Sequence, residues 1–517
     1  MNTNMTKKIL LGLTGLFVLA FVLRVIFIKD MAITFFYDQA RDAFIVKELL
    51  NGDLKIQGPS ANAPGLFHGV FYYYFLAIPY YLGNGNPQAA SLWMAFFSSA
   101  TIFVVYLLTY ALTKNRNASF LASLFFAVSF EAGQYSTWLS NPSLAVWFVP
   151  LIYLFLWLWT TQGKKIYAGL TGLAFGLSIQ ADLFLAYHAV AIFIWLMVNR
   201  KNAVRDEILA FLMGLGAGAS TLIFSEVKFG FKGIQGLLFI LTGGDAAVRS
   251  RDIADFIILY INQLGHLFSQ NLFPFNPGYG GALGLIMVFW LVYQWRKNAG
   301  GRSDSYQAFL LLFIISHLPV VALGGSGSPY LAVGIGSAAC ILTGIFIYEI
   351  WEKSRAFALF LVFAILISGV GKTIMENKGG QTVFAPRPSM VLYNLVNAVE
   401  YTYQASGGGN FSVNTITAPF WLNTTWSYIY NWYGLSKHGF LPYWHGRDQV
   451  GYWGDNLGKT PSDVSDYYLI IEPLSGIPET YVNQEIAAEN AKSKLLEERN
   501  FGGVVVQKRA AITVNKK

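Results

Sequence analysis

Residues Phe35 to Tyr81 read FFYDQARDAFIVKELLNGDLKIQGPSANAPGLFHGVFYYYFLAIPYY, and the rest of the chain is organised around them. The stretch begins where a first apolar run ends. It closes on an aromatic-rich segment, Phe71 to Leu82, which is too short and too tyrosine-rich to cross a bilayer and is suited to its surface. Asp38 and Asp42 lie one helical turn apart with Arg41 between them, so on a helix the three share one face. Acid and base then stand together just outside a membrane. A solvated helix with a local ion pair has the same spacing, and only the surrounding chain separates the two readings.

Of the 517 residues, 54% are hydrophobic and 12% charged. A soluble globular chain carries about 25% charged residues, so this composition is that of a polytopic membrane protein. The net charge of +8 does not imply nucleic acid, because the Lys and Arg sit in short loops between apolar runs. The single cysteine, Cys340, excludes an internal disulfide.

The first span is Ile9 to Ile28, read as a retained anchor. Further spans are expected at Gln88 to Leu112, Ala118 to Phe130, Leu144 to Trp159, Ile166 to Gln180, Leu183 to Val198 and Ile208 to Phe224. The last are Ala282 to Trp295, Tyr306 to Leu323, Tyr330 to Tyr348 and Ala356 to Val370. That gives about eleven crossings. With the N-terminus in the cytoplasm, every short inner loop is basic: Lys114 and Arg116, Lys164 and Lys165, Arg200 to Arg205, Arg296 to Arg302, Lys353 and Arg355. The C-terminus then lies outside the plasma (inner) membrane.

Three parts are expected outside: a first loop, 29–70, a long loop, 227–281, and a tail, 376–517. Residues 1–375 form the membrane module. In the tail, Val391 to Gln404 and Pro478 to Arg499 read as helices. Phe411 to Thr417, Tyr467 to Ile471 and Gly503 to Lys508 read as strands. This pattern predicts a small α/β domain. The fold class is therefore a polytopic α-helical membrane protein with a C-terminal extracytoplasmic α/β domain.

Gly214-Leu-Gly216-Ala-Gly218 lies inside a span with no strand before it, so it reads as a close helix contact and not as a nucleotide loop. The six histidines form no metal-ligand spacing. Glu131, Asn141 and Asp182 lie near span ends on the same side as Asp38, and ionisable groups at membrane depth usually line a cavity. The long loop carries a charged tract with Arg249 and Arg251.

These motifs resemble the GT-C superfamily of polytopic glycosyltransferases, with the protein O-mannosyltransferases and the lipid A aminoarabinose transferases as the nearest groups. The residues that carry the resemblance are Asp38-Gln39, Asn51-Gly52-Asp53, Pro59 and Pro64, His68 to Tyr74, and Trp138-Leu-Ser-Asn141-Pro142. Gln39 stands where the family has a second acidic residue, and Asp42 is placed to take part of its role. Many relatives carry Lys or Arg where Ser328-Pro329 precedes Tyr330 here.

The resemblance implies transfer of a sugar from a polyprenyl-phosphate donor to an acceptor hydroxyl of a protein, lipid or glycan, with inversion and without a divalent metal or other cofactor. Asp38 is the expected base, because an alcohol needs a proton acceptor to become a nucleophile. Arg41, Arg249 and Arg251 are candidates for the phosphate. Gln39, Asp42, His68, Asn141, Asp182 and Tyr330 are the other expected substrate contacts. A transporter or a non-catalytic scaffold for envelope-glycan export is the alternative. A transporter would more often show repeated halves, and none is seen.

Overall fold

The apolar runs fold as helices that stop where the sequence supplies a cap. A computed structural model describes all residues except 1–2, 62–64, 200–204, 242–252, 299–303, 320, 322–328, 381–386, 388 and 513–517. Helix Pro87–Thr113 is representative. The Asn86 side chain accepts the Gln88 N–H at 2.8 Å, proline opens the helix, and Lys114 closes it in the left-handed region.

Among the described residues four helices are long and apolar enough to cross a membrane: Lys7–Asp30, Pro87–Thr113, Asn141–Gln162 and Arg355–Lys378. Two bent pairs, Arg205–Gly218 with Ser220–Lys228 (66°) and Ile253–Leu272 with Pro277–Lys297 (104°), raise the number to six if each is one span. Leu183–Val198, Tyr306–Ile315 and Gly336–Trp351 are shorter apolar helices. The chain is an integral membrane protein.

The segment expected as a long loop, 227–281, contains the helices Lys232–Leu241 and Ile253–Leu272. The second buries Leu267, Phe268 and Leu272 in the bundle core. Its apolar face needs a partner, and the helix Pro277–Asn298 supplies one.

Two features hold the bundle together. Helix Arg205–Gly218 packs on Lys165–Ala181 through glycine. A Cβ at Gly214 would lie 2.0 Å from the Gly169 carbonyl oxygen, so only glycine allows this approach. Arg24 is buried in the first span. It donates to the carbonyls of Ala20 and Ala127 at 3.1 Å, to that of Phe126 at 3.3 Å and to Ser98 Oγ at 3.1 Å. It thereby caps the Ala127 carbonyl at the end of helix Arg116–Ala127 and adds a donor to that of Phe126, which already accepts the Ser129 N–H at 3.3 Å.

A second core covers one end of the bundle. It joins Phe35, Val46, Tyr72 and Leu76 of the first loop and surface helix to Leu395, Trp426, Tyr468 and Val506 of the tail. Backbone bonds fix the join: Phe35 N–H to the Met390 carbonyl at 3.0 Å and Leu392 N–H to that of Ile33 at 2.9 Å. The tail is thus seated on the first loop.

The tail opens with helix Leu392–Ala405. Its strands are β1 (Ser412–Ile416), β2 (Tyr443–Trp444), β3 (Asp466–Ile471), β4 (Ser493–Phe501) and β5 (Val504–Ala511). The sheet order is β2-β1-β3-β5-β4, with β2 and β3 parallel to β1 and β5 antiparallel to β3 and β4. The helix expected over Pro478 to Arg499 stops at Asn490. The rest of that stretch becomes β4 because Gly502 and Gly503, both at positive φ, turn the chain back onto β5.

Candidate active site

Helix Tyr37–Leu50 positions the charged cluster. Gln39 Oε1 accepts the Phe36 N–H at 3.2 Å and so fixes the helix start. Ala40, Ala43, Val46 and Leu49 turn inward, while Asp38 and Arg41 are left beside a cavity of about 520 Å³. The Trp138–Pro142 turn, Asp182, Tyr330 and Pro419 of the tail complete its walls.

All but three of the residues singled out in sequence line this one cavity: Asp38, Gln39, Arg41, Asp42, His68, Asn141, Asp182 and Tyr330. Arg249 and Arg251 lie outside the described residues. Glu131 is not in the cavity. It borders a smaller pocket of about 140 Å³ with His266 and Gln263.

Arg41 links the two acids of its helix. Nη1 donates to Asp38 Oδ1 at 2.8 Å, and Nε and Nη2 donate to Asp42 Oδ1 at 2.9 and 2.8 Å. Tyr73 OH adds a third donor to Asp42 at 3.2 Å. Burial pushes the Asp42 carboxyl up to about 6, and Arg41 limits that rise. The guanidinium loses solvation too, but the two carboxylates outweigh this and raise its pKa. The Asp38 side chain is 52% exposed, against 5% for Asp42. Only Asp38 Oδ1 is engaged among the described residues, so its second oxygen remains available to a ligand.

Across the cavity, Asp182 accepts the Phe184 N–H at 3.0 Å. Burial drives its carboxyl up to about 7. His68 Nδ1 is 3.6 Å from Asp182 Oδ1, yet this is not an ion pair. Nδ1 accepts the Leu183 N–H at 3.1 Å, which leaves the ring proton on Nε2. Burial, then the charge of Arg41, lower His68 to about 4 and keep it neutral. Asn141 donates to the Ala181 carbonyl at 2.6 Å and ties the two hairpin tips together. Gln39 is less free than its position implied: its amide also donates to the Leu139 carbonyl at 2.9 Å.

Sequence reasoning missed Arg387. It reaches the cavity from the start of the tail, donates to the Ala418 carbonyl and lies 3.8 Å from Glu472. Its signal was available: Arg387 sits between Pro386 and Pro388, and an X-Pro bond favours an extended backbone that projects a side chain. Among the described residues the cavity thus offers two guanidiniums facing three carboxylates. That arrangement can hold an anionic group beside a proton acceptor.

Residues 67–225 match the family model described as dolichyl-phosphate-mannose-protein mannosyltransferase. A search of curated proteins by sequence finds no match. Among solved structures, ArnT from Cupriavidus metallidurans bound to undecaprenyl phosphate is similar at 12% identity and TM-score 0.57, covering 97% of this chain and 98% of that one. The oligosaccharyltransferase AglB from Archaeoglobus fulgidus, solved with an inhibitory peptide and a dolichol-phosphate, is similar at 12% identity and TM-score 0.52, covering 100% of this chain and 75% of that one. By fold along nearly its whole length, and by sequence over residues 67–225, the chain resembles the GT-C superfamily of polytopic glycosyltransferases.

Proposed function

We propose that the chain is a membrane glycosyltransferase that moves one sugar from a polyprenyl-phosphate donor to an acceptor hydroxyl with inversion. The observation that carries this reading is Arg41 hydrogen-bonded between Asp38 and Asp42 at the wall of the large cavity. The family match over residues 67–225 supports the same chemistry.

Asp38 is the base. Arg41 holds one of its oxygens, and the other takes the proton of the acceptor hydroxyl. The acceptor oxygen then bonds to the anomeric carbon from the face opposite the leaving group. The bond from that carbon to the phosphate oxygen breaks, and the electron pair leaves on polyprenyl phosphate. Arg41 carries five N–H donors, of which three are committed to Asp38 and Asp42. The remaining two, with Arg387, meet the developing phosphate charge. Arg249 and Arg251 serve as further donor contacts. The cations offered by the chain make a divalent metal unnecessary in this reading.

The finer topology belongs to the same proposal. The three shorter apolar helices cross too, as do Arg116–Ala127 and Lys165–Ala181, giving about eleven spans. The N-terminus is cytoplasmic, and the cavity and tail face the outside of the plasma membrane.

The experiment is turnover in liposomes with a panel of labelled polyprenyl-phosphate sugars and a membrane extract as acceptor source. Release of polyprenyl phosphate with label on an acceptor is the expected result. Movement of intact donor across the bilayer without cleavage, for every sugar tried, would favour a transporter instead.

A further inference from the structure

At the other end of helix Tyr37–Leu50 lies a second cleft, of about 890 Å³, between that helix, the Leu82–Gly85 turn and the tail residues Tyr428 to Ser436. Its cation is Lys47, whose Nζ is bonded to Asn431 Oδ1 at 2.6 Å. No carboxylate lines the cleft, and none pairs with Lys47 among the described residues. Among the described residues this exposed cation therefore has no carboxylate partner. Amides of Asn51, Asn84 and Asn431 surround it.

Leu82 and Gly83 also border a groove of about 360 Å³ with a different character. Phe21, Pro79, Ala89, Trp93 and Phe96 make it apolar. It runs onto the outward faces of the spans Lys7–Asp30 and Pro87–Thr113, where Leu92 is 42% and Phe96 45% exposed. A polar cleft that holds the Lys47 cation thus opens directly into a hydrocarbon-facing groove. It does so at the level where a span begins and an aromatic surface helix ends, with Tyr81 72% exposed.

We propose that this joined cleft binds one anionic phospholipid, its phosphate at Lys47 and an acyl chain along the groove. Charge complementarity selects an anionic head, and the continuous apolar groove selects a lipid over a soluble anion. The site is not the donor's. Lys47 is nine residues along one helix from Asp38, which at 1.5 Å per residue is about 14 Å. That is too far for a phosphate bonded to a sugar under attack at Asp38.

The position gives the lipid a structural consequence. Lys47–Asn431 and Tyr428 OH to the Gly85 carbonyl, both 2.6 Å, are among the contacts that seat the tail on the membrane module here. A lipid in the cleft touches both partners and the helix that carries Asp38 and Arg41.

The test uses the full chain in nanodiscs with a phosphatidylglycerol carrying a photoactivatable acyl chain. Labelled peptides should concentrate on residues 79–96. Lys47→Gln should lower that labelling about fivefold, the scale of one basic residue at an anionic surface, and Lys47→Arg should restore it. Excess phosphatidylglycerol should compete, while phosphatidylcholine and soluble glycerol phosphate should not. Labelling spread evenly over the exposed apolar helices, or unchanged in Lys47→Gln, would reduce the site to ordinary boundary lipid and overturn the proposal. Competition by glycerol phosphate would overturn the lipid assignment. If Lys47→Gln melts early, the wild-type map and the competition decide alone.

Discussion

Glu489 in the tail and Asp182 in the cavity are both buried carboxylates, and they are treated in opposite ways. Glu489 accepts from His445 Nε2 at 3.1 Å, Ser493 Oγ at 2.9 Å and Asn414 Nδ2 at 2.8 Å. Burial pushes it up, but these donors outweigh burial and hold it down to about 2. Asp182 has one backbone donor and rises to about 7. A network built for stability satisfies its charge. A cavity that must receive a ligand leaves its charge under-satisfied. Asp42 is a third case: Arg41 and Tyr73 supply three donors, yet burial outweighs them and its carboxyl rises to about 6. Ser412, His445 and Glu489 form a chain of contacts reminiscent of a hydrolytic triad, yet Ser412 is fully buried and open to no substrate.

The strongest way to break this contrast is Arg41→Ala. It removes the cation shared by Asp38 and Asp42 and leaves Asp42 buried without its main partner. Turnover should fall about 10² to 10³-fold, the cost of one well-placed charge-stabilising group. Steady-state assays at saturating donor measure it. A smaller loss, about tenfold and mainly in the apparent donor constant, is expected for Arg387→Ala, since Arg41 also lines the cavity.

Asp182→Asn sharpens the contrast through pH. The folded pKa is raised from 3.8 to about 7, so folding favours the protonated acid. The stability this group gives is full below about 3.8 and is lost as pH rises towards about 7. The variant should therefore melt above the wild type, by a margin that grows between these pH values and levels off beyond them. Thermal melts across that range check the sign. Glu489→Gln should do the reverse at neutral pH. It should lower stability by about 1–3 kcal/mol while leaving turnover near normal, because its donors lose a charged partner far from the cavity.

Much of this was legible in the chain. Phe71–Leu82 forms a helix with the bounds read from its aromatic run, and β1 and β3 fall within one residue of the apolar runs that announced them. The charged face of Asp38, Arg41 and Asp42 followed from helical spacing alone. What failed was set by tertiary partners. SKLLEERNF is rich in helix formers, but pairing with β5 overrode that preference. Ile253–Leu272 looked like loop because its polar residues alternate with apolar ones; its apolar face shows only once Pro277–Asn298 packs on it. Glu131 and Asp182 share a span side in the sequence reading, but they line different pockets. Arg387 was passed over because it is remote in sequence from the first loop that it faces.

The central claim is that Asp38 removes the acceptor's proton. Asp38→Asn keeps the shape and the tie to Arg41 while removing basicity. With labelled polyprenyl-phosphate donor in liposomes, its turnover should fall by about 10² to 10⁴, the range of general-base catalysis, with an unchanged melting temperature. Near-normal turnover by a well-folded Asp38→Asn protein would contradict the account and move the base to Asp42 or Asp182.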